Sequence, residues 1–334
     1  MQAVDSAFDS DVYRSFSVAS LELGPAATGV APLQPAATLL GGTLPKLDRS
    51  AAGRAVLIGA LRAQRLQQLR PAMSAAAAQG RIIPDSVYGR VFQWDTASNA
   101  YTWQDSIVGS LNGVRFILYQ ADFGSVNEPV VEVGSLDLID ESTLSTLQLH
   151  ILVKGLAGTT TYLDYTATIS ATVSSVTANA TGFITNGLSV GNKTLTFDET
   201  FHSTNEPRIT ANATFTLNNP ARTFTVSEGA TLNGQALVVT VDFRFTRPGE
   251  TVQFYARLTV ESTFTVSAAV RVNGRTVATL NGVLGDPGTV WVDAGGDPLT
   301  AEDEEALAAL ESSALSFQEA VASLFLPVDT FFGS

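Results

Sequence analysis

Between Thr159 and Leu284 apolar and polar residues alternate in twos. In Thr161–Ser174, Leu163, Tyr165, Ala167, Ile169, Ala171 and Val173 fall on one side, and Tyr162, Asp164, Thr166, Thr168, Ser170 and Thr172 on the other. A period of two belongs to a strand with one buried face. The alternation returns in Ile209, Ala211, Ala213, Phe215 and Leu217, in Leu237, Val239, Val241, Phe243 and Phe245, and in Val252, Phe254, Ala256, Leu258 and Val260. Turn signals divide the runs: Asn186-Gly187, Asn218-Asn219-Pro220, Asn233-Gly234, Arg247-Pro248-Gly249, Asn273-Gly274 and Asn281-Gly282. Strands joined by tight turns run antiparallel beside one another, so the pattern predicts an up-and-down meander. Strands of about ten residues exceed the usual length, and a wide sheet of them must twist and curl. The expectation is a mainly β fold, a barrel or half-barrel with a concave apolar face.

Upstream, Tyr88–Trp94 and Ala100–Asp105 flank a short polar loop and predict a hairpin that gathers Tyr88, Phe92, Trp94, Tyr101 and Trp103. Cross-strand aromatic pairing accounts for such a hairpin, and a stacking platform for a sugar or apolar ligand is the functional alternative. Further strands are expected at Val114–Ala121, Val130–Leu138 and Leu144–Lys154.

Two stretches carry a helical period instead. Over 50–79, Leu57, Ile58, Leu61, Leu66, Leu69 and Met73 are interleaved with Arg54, Arg62, Arg65 and Arg70, and Pro71 is placed to kink the helix. A helix this basic in an acidic chain should face carboxylates, lie at the sheet's rim or present a solvated face. At the other end Thr300 is a predicted N-cap, followed by Glu302, Asp303, Glu304 and Glu305 in the first turn. Leu307, Leu310, Ala314, Phe317, Val321 and Leu324 then form one narrow seam, suited to the concave face of a sheet or to a second copy of the chain. The organisation read from these signals is an Ala/Pro/Gly-rich arm over 1–46, a helical segment over 47–83, a β domain over 84–298, and a C-terminal helix and tail over 299–334. Within the arm, Phe16–Leu23 reads as one strand-like piece.

Charge narrows the possible functions. Charged residues are 15% of the 334 and the net charge is −13, against about 25% charged in an average soluble domain. Nucleic acid and anionic lipid both need a basic surface, and no basic stripe with interleaved aromatics is visible, so no nucleic-acid partner is expected. Without cysteine there are no disulfides, thiolate nucleophiles or Cys-ligated metals. A Thr-rich chain with only Lys46, Lys154 and Lys193 as lysines suits an extracytoplasmic bacterial protein. Met1–Ser10 lacks the apolar core of a signal peptide, and no run is long enough for a transmembrane helix.

Catalytic and metal motifs are mostly missing. His150 and His202 lie in strand-like runs without a partner at ligand spacing, so no metal is expected. Asp293-Ala294-Gly295-Gly296-Asp297 departs from the twelve-residue calcium loop and is explained by a turn leading to a helix cap. No nucleophile elbow, phosphate loop or dinucleotide fingerprint occurs. Adjacent carboxylates, Asp140 with Glu141 and Asp198 with Glu199, should point to opposite sides of a strand and cannot easily flank one bond. No cofactor is expected. Ranks of Thr, among them Thr166, Thr168, Thr194, Thr196, Thr214, Thr216, Thr223 and Thr225, resemble ice-binding arrays, but Thr also favours any solvent-facing strand. A transmembrane barrel would share the alternation, yet the aromatics form no girdles and the chain closes on a helix.

The run Thr159–Leu284 with the seam Leu307–Leu324 resembles the half-barrel of LolA/LolB-type periplasmic lipoprotein carriers. That resemblance implies a periplasmic role and acyl-chain binding between sheet and helix. The leading expectation is therefore a non-enzymatic exported protein holding an apolar small molecule or lipid, with Trp94, Tyr101, Trp103, Phe243, Phe254, Leu310 and Phe317 as candidate lining. The alternative is a structural subunit of a surface assembly, self-associating through Phe16, Val18, Leu21 and Leu23 of the arm by strand donation.

Overall fold

The computed structural model describes residues 11–23, 81–107, 111–122, 125–204, 208–234, 236–283, 286 and 288–310. The expected basic helix over 50–79 and the seam residues Ala314, Phe317, Val321 and Leu324 lie outside these.

After helix α1 (Asp11–Leu23) the chain is almost wholly β. The first strands are β1 (Arg90–Asp95), β2 (Ala100–Ile107), β3 (Gly113–Tyr119), β4 (Ala121–Asp122), β5 (Ser125–Val126) and β6 (Glu132–Asp140). The meander continues with β7 (Leu147–Gly155), β8 (Thr161–Ala171), β9 (Ser175–Thr185), β10 (Thr194–Thr204), β11 (Arg208–Asn218) and β12 (Ala221–Asn233). It closes with β13 (Ala236–Arg247), β14 (Glu250–Val260), β15 (Phe264–Val272), β16 (Arg275–Val283) and β17 (Trp291–Asp293), and residues 301–310 form helix α2.

Fifteen strands make one open, curved sheet in the order β17 to β6 without interruption, then β3, β1 and β2; β4 and β5 form a separate hairpin. From β6 to β17 spatial order equals chain order. The β1–β3 pair is parallel, and the other described pairs are antiparallel. The predicted meander and the predicted Trp hairpin are both present.

The register keeps one parity buried across the whole width. Leu149, Ile151, Leu163, Tyr165, Val241 and Ala256 are each at most 2% exposed, and all belong to one continuous core cluster. Most of the apolar positions named in the sequence lie on this inner face; Ala171 and Val173 are exposed.

The turns follow their residues. Asn273 (φ 50°) and Gly274 (φ 78°) join β15 to β16 as a two-residue hairpin, the left-handed pair that matches strand twist. Pro248-Gly249 joins β13 to β14, with Gly249 at φ 80°. Asn281-Gly282 is not a turn. Both residues lie inside β16, opposite Ser267 and Val266, and the glycine is there because a Cβ would fall 2.2 Å from Thr289 Oγ1. Asn186-Gly187 opens the longer loop 186–193. The alternation also overran β8, for Val173 stands 94% exposed in the β8–β9 turn, where the Thr172 hydroxyl accepts the Ser174 and Ser175 N–H groups.

The strand-like piece Phe16–Leu23 is helical. Val12, Phe16 and Ala19 recur at helical spacing and are buried on the chain's own core, Phe16 completely, with Val18 buried as well. Helix α1 packs mainly on β3, β4 and β6, and Arg14 pairs with Asp122 at 3.2 Å. The eight residues Phe16–Leu23, with Ser17, Ser20 and Glu22 among them, are too short a window to separate the two periods; burial around most of the helix decided it. The strand-like reading of Phe16–Leu23 is thereby corrected to a helix. Phe16 and Val18 are occupied within their own chain, and the Leu21 and Leu23 side chains lie outside the described residues.

Candidate ligand-binding face

Seven aromatic residues of the inner face form a belt from β8 to β17. Tyr165 and Phe197 meet edge-on at 5.6 Å across Gly182, which is paired with both in register. A Cβ on Gly182 would lie 2.2 Å from Tyr165 Cβ, so a bare backbone at this point admits the two rings. Phe197 continues to Phe215 at 6.4 Å, and Phe215 stands opposite Phe224. Phe224, Phe243, Phe254 and Trp291 then follow at 6.0, 6.4 and 6.3 Å. Offset and edge contacts of this kind add to the burial of the rings themselves.

The structure thus joins Phe243 and Phe254 and adds Phe224 and Trp291, which the sequence reading had not named. Their signal was present in the sequence: Phe224 lies at the parity of Val226. Leu299, Leu307 and Leu310 pack half-buried against the same core, and α2 starts as expected. The Asp303 N–H donates to Thr300 Oγ1 at 3.2 Å, and the Thr300 N–H donates to the Asp303 carboxylate at 3.3 Å.

The Trp hairpin lies elsewhere on the sheet. Trp94 and Tyr101 meet edge-on at 5.4 Å, Tyr101 meets Phe116 at 5.3 Å, and Phe92 stacks on Phe116 at 4.5 Å. Tyr101 is buried and its hydroxyl donates to the Ile117 carbonyl at 2.9 Å. These contacts are the cross-strand pairing that stabilises a hairpin. Trp103, 45% exposed, carries the Arg90 guanidinium 4.2 Å from its ring centroid. Trp94, Tyr101 and Trp103 therefore lie at the β1–β2 end of the strand order, and Phe243 and Phe254 near its other end.

Carboxylates interrupt the apolar face at three points. Asp140 is buried at the end of β6 and accepts the N–H groups of Ile82, Ile83 and Ser142 at 2.7, 3.1 and 3.0 Å. Glu199 and Glu228 flank β11 from β10 and β12, opposite Ala213 and Ala211; Glu228 is buried. Asp198 and Glu141 point outward, as strand alternation requires.

A small apolar cavity of about 10 Å³ lies between α1 and the sheet, lined by Tyr13, Phe16, Val153, Tyr162, Leu163, Ile184 and Thr185. It has room for about one water and is too small for an acyl chain.

On the outer face His150 Nε2 lies 2.8 Å from Asp164 and its Nδ1 lies 3.6 Å from Glu141. His202 Nδ1 lies 3.0 Å from the Thr177 hydroxyl. A carboxylate and a hydroxyl thus serve different histidines, and among these contacts no hydroxyl–His–carboxylate relay is assembled. Among the described residues no group of three His, Asp or Glu could hold a metal ion. Asp293 accepts the N–H groups of Gly295 and Asp297 at 2.7 and 3.0 Å, which makes that segment a turn. The Thr ranks gain a register: Thr196, Thr216, Thr223, Thr246 and Thr251 stand in one row across β10 to β14. Sheet twist rotates such a row by roughly 20° per strand, unlike a flat array.

No protein family, no curated protein and no solved structure matches this chain.

Proposed function

We propose that this chain is a non-enzymatic, exported bacterial protein that holds an apolar ligand against the concave face of its sheet. The observation that carries this reading is the aromatic belt from Tyr165 to Trp291, an unbroken row of rings on the inner face of an open sheet. Its wider part, Phe224 to Trp291, lies in the same core as Leu299, Leu307 and Leu310. A ligand between sheet and α2 would meet mostly carbon surface there, with the buried Glu228 beside it, and would gain about 25 cal/mol for each Å² of apolar surface removed from water. Export is supported by composition: a mainly β, Thr-rich, cysteine-free chain with three lysines.

Native mass spectrometry of the full-length protein tests the reading. The expected result is a protein carrying additional mass that organic solvent extracts, with less of it in the Phe254→Leu variant, which keeps an apolar side chain but removes the ring. A parent protein at its bare mass, or extracted mass that Phe254→Leu leaves unchanged, would sink the proposal.

A further inference from the structure

A meander sends every second turn to the same end of its sheet. The turns joining β7 to β8, β9 to β10 and β11 to β12 therefore lie side by side at one end. With strands about 4.8 Å apart, successive turns at that end sit roughly 10 Å from one another. Leu156 is 66% exposed on the first, and Leu188 and Val190 are 57% and 86% exposed on the second. Val131, 46% exposed, leads into β6 at the same end. Single exposed apolar residues are ordinary, but these four follow one another along neighbouring strand ends.

Charge marks the same end independently. The segments 154–162, 185–194 and 218–223 contain Lys154, Lys193 and Arg222 and no carboxylate, in a chain of 32 acidic and 19 basic residues. Lys154 and Lys193 are the only described lysines. Glu128 and Glu132 are exposed beside Val131, outside these three turns; at the opposite end Leu144 and Val173 are also exposed, and the turns there carry the exposed carboxylates of Glu141 and Glu261.

We propose that the Leu156–Leu188–Val190 end docks on a lipid bilayer bearing anionic headgroups. The three side chains enter the boundary between headgroups and acyl chains, as apolar groups leaving water, while Lys154, Lys193 and Arg222 meet the phosphates. The net charge of −13 does not forbid this, because charges more than about 8 Å from the contact are largely screened at physiological ionic strength. Leu188, Val190, Lys154 and Lys193 lie outside the aromatic belt, whereas Arg222, with its guanidinium 5.9 Å from the Phe245 ring centroid, borders it; docking is therefore tested through the first four.

Flotation of the full-length protein with vesicles tests it, using phosphatidylcholine alone and phosphatidylcholine with phosphatidylglycerol in equal parts. The parent floats with the mixed vesicles. Leu188→Asp with Val190→Asp lowers partitioning at least about tenfold, and Lys154→Glu with Lys193→Glu lowers it by about tenfold or more. Leu144→Asp with Val173→Asp, at the opposite end, leaves it unchanged, and equal urea midpoints show that all variants fold. The proposal is overturned if the parent floats with neither vesicle, which would point to a protein partner, or if the Leu188/Val190 variant floats like the parent. It is overturned equally if the opposite-end variant loses as much. Flotation without extractable ligand would remove the carrier reading and keep this one; extractable ligand without flotation would do the reverse.

Discussion

Arg115 and Asp137 show how one residue pair can be settled by its surroundings. Their two hydrogen bonds, 2.6 Å from Nε and 2.7 Å from a terminal guanidinium nitrogen, form a bidentate pair on adjacent strands, with the Asp137 side chain only 5% exposed. Hydrogen bonding to Asp137 lifts the Arg115 pKa, outweighing the opposite effect of burial. Arg115→Ala would strand a buried carboxylate, and a loss of about 3 kcal/mol in urea unfolding is expected. Two tyrosines bear on stability in alkali. Burial, the largest cause, raises Tyr119, with Glu132 adding to it; burial and then Asp140 raise Tyr88. Because both phenols hold their protons more tightly in the folded chain, the stability they confer is complete below the ordinary pKa of about 10. It is lost as pH rises through the folded values. Urea midpoints should hold from pH 8 to about 10 and then fall, and Tyr119→Phe should make that fall shallower; a midpoint independent of pH up to 11 would contradict the assignment.

Among elements, α1 is the one whose type the sequence pattern misjudged. Asp11–Leu23 has few β-branched residues, and its buried positions surround most of the helix, so neither period dominated a short window. Contact with β3, β4 and β6 decided the outcome, for Phe16 has 0% exposure beneath the helix. Phe16→Ala would enlarge the neighbouring small cavity and is expected to cost about 3–5 kcal/mol. Loss of protection in hydrogen exchange should spread across β3 and β6 before it reaches β13. Protection lost evenly across β3, β6 and β13, or lost elsewhere with β3 unaffected, would show that α1 does not staple this end. The strands were far more legible than the helix, because alternation repeated over β8 to β15 reinforces a single register. Asn281-Gly282 misled for the converse reason: the dipeptide favours a turn, but pairing along β15 holds it extended.

At the scale of the molecule, the consequence of the meander is sorting. Side chains are divided between two faces by parity, and turns between two ends by alternation. Sorting by parity makes the aromatic belt out of residues spaced across more than a hundred positions, and sorting by turn makes the Lys154, Lys193 and Arg222 end. A net charge read from composition suggested a surface unfit for anionic lipid; the fold concentrates basic residues where three turns lack carboxylates. Both proposed sites are products of this arrangement, one on the concave face and one on the rim.

By itself the sequence determined the fold class, the hairpins, the buried parity and the capped start of α2. Each of these depends on residues close in the chain, where a period of two or a turn dipeptide acts directly on the backbone. It also placed Phe243 and Phe254 on one face. Only the tertiary structure decided that Trp94, Tyr101 and Trp103 lie at the other end of the strand order from them, that Phe224 and Trp291 complete their row, and that Phe16 is buried against its own sheet. These are matters of which distant strands become neighbours and how far the sheet curls, and no local period encodes either.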